Sequence, residues 1–144
     1  MTGGVQVCPA CGLVAPEVDG PTDPYGASSP ACWATLGRLH LVGSSQLAVD
    51  AYLAQHASVS TPAGSRSVLT HLVGLTLALH SGESAARIRQ VLGAVFPDKQ
   101  ADPPAIRDVP DLRGRTVADV VEARPEQRDA RTRKWAGSVW DAWA

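Results

Sequence analysis

Aromatic residues are scarce in this chain, at 5% of its length with one Phe and two Tyr, so its core has to be built mainly from Leu, Val and Ala. It also lacks charge of one sign. Thirteen Lys and Arg stand against fourteen Asp and Glu, a formal net charge of −1, which gives no general attraction to phosphate backbones or anionic lipid. Nucleic acid is therefore not an expected partner. No charged amino-terminal region leads into a long apolar run, and the most apolar stretch, near Ser65 to Leu79, falls short of the roughly 20 positions that a bilayer crossing needs. The expectation is a cytoplasmic protein with no signal peptide or membrane span. Cysteines are few and odd in number, three in 144 residues, which argues against a disulfide framework. A chain of this length buries about 68 to 70% of its unfolded surface without such staples. A phosphate-binding glycine loop is missing, since Gly12, Gly20 and Gly26 fit no spacing for one, and so is a Gly-x-Ser-x-Gly elbow.

What is present reads as a single all-α domain over residues 1–144, a helical bundle of about five helices with an amino-terminal Cys-rich zinc knuckle. Residues 1–30, with five Gly and five Pro, are expected to be a loop or knuckle segment without long helices or strands. Residues 30–96 carry the helical core. A first helix starts near Ser29-Pro30 and stops at Gly43. A second is capped by Ser44 or Ser45 and ends before the stretch 58–64. The third, near Ser65 to Leu79, is apolar on almost every side and is expected to be central and buried. A fourth follows Ser84 and runs through Ile88, Val91, Leu92, Val95 and Phe96 to Pro97. Residues 97–114 form a Pro-rich linker that Ile106, Val109 and Leu112 pin to the core. Thr116 with Asp119 resembles a capping box opening the carboxyl-terminal helices of residues 115–144, which Pro125 interrupts.

The sharpest motif is Cys8-Pro9-Ala10-Cys11-Gly12, where two thiolates separated by two residues grip one tetrahedral ion and Gly12 lets the backbone turn beneath it. Such a knuckle supplies half a coordination sphere. Cys32 is the only other cysteine, so a fourth ligand has to be a histidine. If the first two helices fold back around residues 43–45, Cys32 lies beside His56. If the second and third fold back around residue 61, His71 lies opposite Asp50 or Ala51. The favoured metal ligands are Cys8, Cys11, Cys32 and His56, with His71 as the substitute for His56. A competing reading makes Cys32 a small core residue beside a redox-active Cys8/Cys11 pair, but the βαβ context of such pairs is missing. His71 has a competing reading too, as a core histidine hydrogen-bonded to Asp50. His40 and His80 need no chemistry.

These residues assemble into a longer string: CPACG at 8–12, DGPTDPY at 19–25, SPACW at 29–33, VDAYLAQH at 49–56, SVLTHL at 67–72 and WAGSVWDAW at 135–143. It resembles an uncharacterised family of small bacterial proteins catalogued only as a domain of unknown function. The resemblance implies that Cys8, Cys11, Cys32, Asp50, Tyr52, Gln55, His56 and His71 belong to one signature, with Asp19, Gly20, Pro21, Thr22 and Tyr25. This chain departs from it at Asp23, where the family has His. No activity comes with the resemblance.

Two functional classes compete. The first is a small-molecule enzyme or binding protein with a polar pocket beside a largely structural zinc. Its catalytic residues are His71, Asp50 and Tyr52, and its substrate-binding residues are Gln55, Tyr25 and Asp19. Asp50 would orient a general-base His71, or else pair with Arg38. Three thiolates and a histidine close the tetrahedron, whereas three cysteines alone leave a position for a reactive water. A zinc deaminase is excluded because Ala10 stands where its signature needs Glu. The second class is a non-enzymatic zinc-stabilised interaction or regulatory module, with a protein partner or second copy docking on the Trp-rich carboxyl-terminal helix. Its indoles equally suit closure of the bundle, and Arg128, Arg131, Arg133 and Lys134 read as a solvated face.

Overall fold

The computed structural model describes residues 4–24, 26–95 and 103–144 of the chain. Two three-residue strands come first, β1 (Val5–Val7) and β2 (Val14–Pro16), paired antiparallel with Val7 opposite Val14. The all-α expectation is thus amended by a small two-stranded sheet. The alternation is legible only as an outward face: Val5, Val7 and Val14 are about 60% exposed, so the hairpin is not held down by its own apolar residues.

Six α-helices follow among the described residues: α1 (Pro30–Val42), α2 (Gln46–Gln55), α3 (Pro62–His80), α4 (Ala85–Leu92), α5 (Val117–Val121) and α6 (Arg128–Trp143). Local chemistry sets their starts. The side chains of Ser29, Ser45, Thr61 and Ser84 each accept a backbone N–H of the first turn of α1, α2, α3 and α4. Thr116 and Asp119 form the expected capping box on α5. Gly43, at φ 111°, ends α1 in a conformation that favours glycine. A 3-10 turn over Pro125–Gln127 leads directly into α6.

Four boundaries and burials differ from expectation. α3 begins three residues earlier, because Thr61 followed by Pro62 is a cap and first-turn proline inside a stretch that reads as loop. It is also not buried all round. Only Gly64, Ser65, Val68, Gly74 and Leu75 are buried, while Leu69, Leu72, Val73, Leu77 and Leu79 are half-buried, since α2, α4 and α6 cover one side of the helix. α4 ends at Leu92, where Ala94 N–H bonds back to Val91 O and the last turn tightens. The apolar pattern beyond it runs to Phe96, which lies outside the described residues. In the linker Leu112 is buried and Ile106 half-buried, but Val109 is 41% exposed and pins nothing.

α2 packs between α3 and α6, and α1 runs chiefly along α5. The core joins Leu36 and Leu39 of α1, Ala51 and Tyr52 of α2, Leu75 of α3, Val117 and Val120 of α5, and Trp135 and Val139 of α6. No helix among the described residues is long and apolar enough to cross a membrane. The carboxyl-terminal indoles turn inward. Trp135 is buried and donates to Gln55 Oε1 at 2.9 Å, while the half-buried Trp140 and Trp143 donate to Thr76 Oγ1 at 3.1 Å and Ala54 O at 3.0 Å.

Candidate metal centre

The knuckle is a tight backbone loop. Cys8 N–H donates to Leu13 O at 2.8 Å and Gly12 N–H to Cys8 O at 3.0 Å, with Gly12 at φ 80°, a conformation that a side chain would strain. Both sulfurs of the Cys-x-x-Cys pair are thereby turned to one side. The third cysteine comes from the first turn of α1, where Ser29 Oγ accepts Cys32 N–H at 3.1 Å. Gln6 fastens the hairpin to that turn, accepting Ala31 N–H at 2.9 Å and donating to Val18 O at 2.8 Å. His56 caps the carboxyl end of α2. Its Nδ1 lies 2.6 Å from Tyr52 O; a carbonyl only accepts, so Nδ1 carries a proton and Nε2 is the nitrogen left for an ion.

The ligand atoms of Cys8, Cys11, Cys32 and His56 all lie within 4.8 Å of one another, and the four residues could hold a metal ion. None is more than 1% exposed. Cys11 Sγ is 3.8 Å from Cys32 Sγ, and Cys32 Sγ is 3.3 Å from His56 Nε2. Metal–sulfur bonds of about 2.3 Å in a tetrahedron place neighbouring sulfurs about 3.8 Å apart. The cysteines are all free, so this separation is not a strained disulfide. His71, the alternative ligand, is not in the group.

Crowding the four side chains together redistributes their protons. Hydrogen bonds from Cys11 and then Cys32 push the Cys8 thiol far below its ordinary range, while the same crowding by Cys11 and Cys8, with burial, pushes Cys32 far above it. For His56 burial disfavours the charged ring, yet hydrogen bonds with the Cys11 and Cys8 sulfurs outweigh it and hold its pKa up to about 9. Burial, and then the neighbouring Cys32, raise the Tyr52 phenol.

Tyr52 and Gln55, which the sequence suggests for a polar pocket, are engaged inside the fold. Tyr52 is fully buried, with its hydroxyl 2.7 Å from Ser28 Oγ and 3.4 Å from Cys32 Sγ. Gln55 donates to Leu112 O at 2.9 Å and Arg115 O at 2.6 Å and accepts from Trp135, so it ties α2 to the segment before α5 and to α6. Ser28 and Gln6 are the supporting residues that sequence reasoning misses, because their partners are distant in the chain and no local pattern marks them.

Asp50 and His71 are brought together elsewhere. His71 Nδ1 lies 2.7 Å from Asp50 Oδ1, which also accepts Gln46 Nε2 at 3.0 Å. Asp50 is 0% exposed and its Oδ2 is buried with no hydrogen-bond partner. Room for that oxygen comes from Gly74 of α3, where a Cβ would collide with it. A mid-helix glycine costs about 1 kcal/mol against alanine, and a half-satisfied buried carboxylate costs more. The alternative Asp50–Arg38 pair does not form; Arg38 reaches Thr35.

Asp19 is exposed, in a shallow cleft with Pro30 and Trp33, and is not gathered with these groups. Asp23 is buried beside Gly26, and Tyr25 lies outside the described residues. The expected single pocket is thus divided: Tyr52 faces the group of three cysteines and His56, Gln55 the carboxyl-terminal segment, and Asp50 with His71 the α2–α3 contact.

Over residues 6–144 the chain matches a family described as a family of unknown function, DUF5946. No curated protein and no solved structure matches it.

Proposed function

The chain belongs to that family of unknown function, and on that premise we propose that the Cys8, Cys11, Cys32 and His56 group holds one zinc ion whose role is structural. The observation that carries this reading is the burial of all four ligands in one cluster of tetrahedral size. Three thiolates and one imidazole complete four-coordination and leave no position for a reacting water. Borderline-soft zinc suits such a donor set.

The fold gives the ion a clear task. Two three-residue strands with exposed valines are too small to be stable alone, and the ion fastens their loop to the start of α1 and the end of α2. Structural zinc contributes about 10 to 16 kcal/mol of apparent binding energy in small zinc domains, and that energy becomes folding energy. A reactive-metal reading has less support, because it needs an open ligand position. The Trp-rich helix also offers less to a partner than its composition suggests, since each of its three indole N–H groups bonds within the fold.

Cobalt(II) substitution tests the closed site. The cobalt form should show the intense visible bands of a tetrahedral thiolate centre, and added azide or thiocyanate should leave them unchanged. Bands that shift with the added anion would reveal an exchangeable position and overturn the structural role.

A further inference from the structure

Asp50 and His71 lie outside the metal centre, and neither the packing nor the proposed ion explains them. The carboxylate is wholly buried with one oxygen unpartnered, and α3 places a glycine against it. An apolar residue in place of Asp50 would pack α2 on α3 without either concession. Such a departure from core logic is a mark of a working site. His71 is the member of the pair that meets solvent, with its side chain 16% exposed.

The hydrogen bond fixes the chemistry of the ring. A carboxylate accepts, so Nδ1 carries the proton that His71 donates to Asp50, and Nε2 holds the lone pair. We propose that Asp50 and His71 form a second site, independent of the metal, in which His71 is a general base for the addition of water to an acyl substrate. Asp50 is the positioning residue that fixes the ring and stabilises the imidazolium formed during reaction. No Ser, Thr or Cys side chain among the described residues is hydrogen-bonded to His71, so water rather than a side chain supplies the nucleophile. Among the described residues no Lys or Arg joins the hydrogen bonds of the pair, which favours a neutral carbonyl compound over a phosphate ester, whose charge needs a cation.

In the step, His71 Nε2 takes a proton from water while the O–H electron pair becomes the new bond to the carbonyl carbon and the carbonyl π pair moves to its oxygen. Collapse of this adduct expels the leaving group, which receives the proton back from His71.

The first test uses the unaltered zinc-loaded protein. Diethyl pyrocarbonate acylates imidazole at an unprotonated nitrogen, and the modified positions can be followed by mass spectrometry. His71 should react faster than His40 and His80, although both of these are more exposed. A reactivity order that simply follows exposure would make the pair a structural ion pair and overturn the proposal. The second test is hydrolysis of p-nitrophenyl acetate. His71→Ala should reduce the rate to that of buffer, and Asp50→Asn should lower it by about tenfold or more, with zinc content unchanged in the His71 variant and its rate read below its own unfolding temperature, which falls because the buried Asp50 loses a partner. A rate that survives His71→Ala, or His71-dependent hydrolysis of p-nitrophenyl phosphate in its place, would contradict the assignment. Neither readout depends on the zinc being structural, so the two proposals fail separately.

Discussion

The ring of Tyr52 lies flat on the ring of His56, with centroids 3.9 Å apart and planes 21° from parallel. The same residue accepts from His56 Nδ1 through its backbone carbonyl and approaches Cys32 Sγ through its hydroxyl, so one buried residue holds two of the four candidate ligands. With a divalent ion bound, three thiolates would leave a net negative charge in this buried site, and the phenol is a donor placed to share it.

Replacing that hydroxyl should loosen the ion without removing it. Tyr52→Phe keeps the stacked ring and loses the bonds to Ser28 and Cys32, at a cost of about 1 to 3 kcal/mol. Chelator-driven zinc release should accelerate while stoichiometry stays at one. Tyr52→Ala, which also opens a cavity, should lose about 3 to 5 kcal/mol in urea unfolding.

Proton competition gives the centre a pH dependence of defined sign. His56 without metal holds its proton up to about pH 9, and Cys32 holds its own higher still, so an incoming ion has to displace both. Zinc affinity should therefore rise with pH through the neutral range, by about tenfold per pH unit for each proton released. Competition with a chromophoric chelator from pH 6 to 8 measures it, and a flat profile would contradict the assigned ligands.

Two mid-helix glycines should respond oppositely to alanine. At Gly74 the added methyl meets the Asp50 carboxylate, and the clash should outweigh the gain in helix propensity, with a net loss of about 1 to 3 kcal/mol. At Gly137 of α6 nothing lies within 4 Å of a Cβ, so alanine should stabilise by up to about 1 kcal/mol. Thermal or urea unfolding of both variants checks the contrast.

Gln55→Leu should loosen the carboxyl-terminal segment from Leu112 onward. It leaves two carbonyls and the Trp135 indole N–H without their partner, and each buried unsatisfied group costs about 1 to 3 kcal/mol. Hydrogen exchange should quicken in α5 and α6 before it does in α3.

The gathering of Cys8, Cys11, Cys32 and His56 into one group that could hold a metal ion was legible in the sequence because spacing carries it. The Cys-x-x-Cys turn, an odd third cysteine and antiparallel folding of the helices point to Cys32 beside His56, and the same reasoning places His71 against Asp50. The roles of Tyr52 and Gln55 were not legible. Their partners stand 24, 57 and 80 positions away, and no local period distinguishes a polar side chain turned into a pocket from one that ties two helices. The hairpin was hidden for a different reason: its valines face outward, so alternation there marks no core.

The central claim is that Cys8, Cys11, Cys32 and His56 hold one ion. Elemental analysis of the purified protein, compared with Cys8→Ser, Cys32→Ser, His56→Ala and His71→Ala prepared identically, tests it most directly. About one zinc per chain, lost with the first three substitutions and kept with His71→Ala, is the predicted result. Zinc retained without His56, or no metal in any preparation, would contradict it.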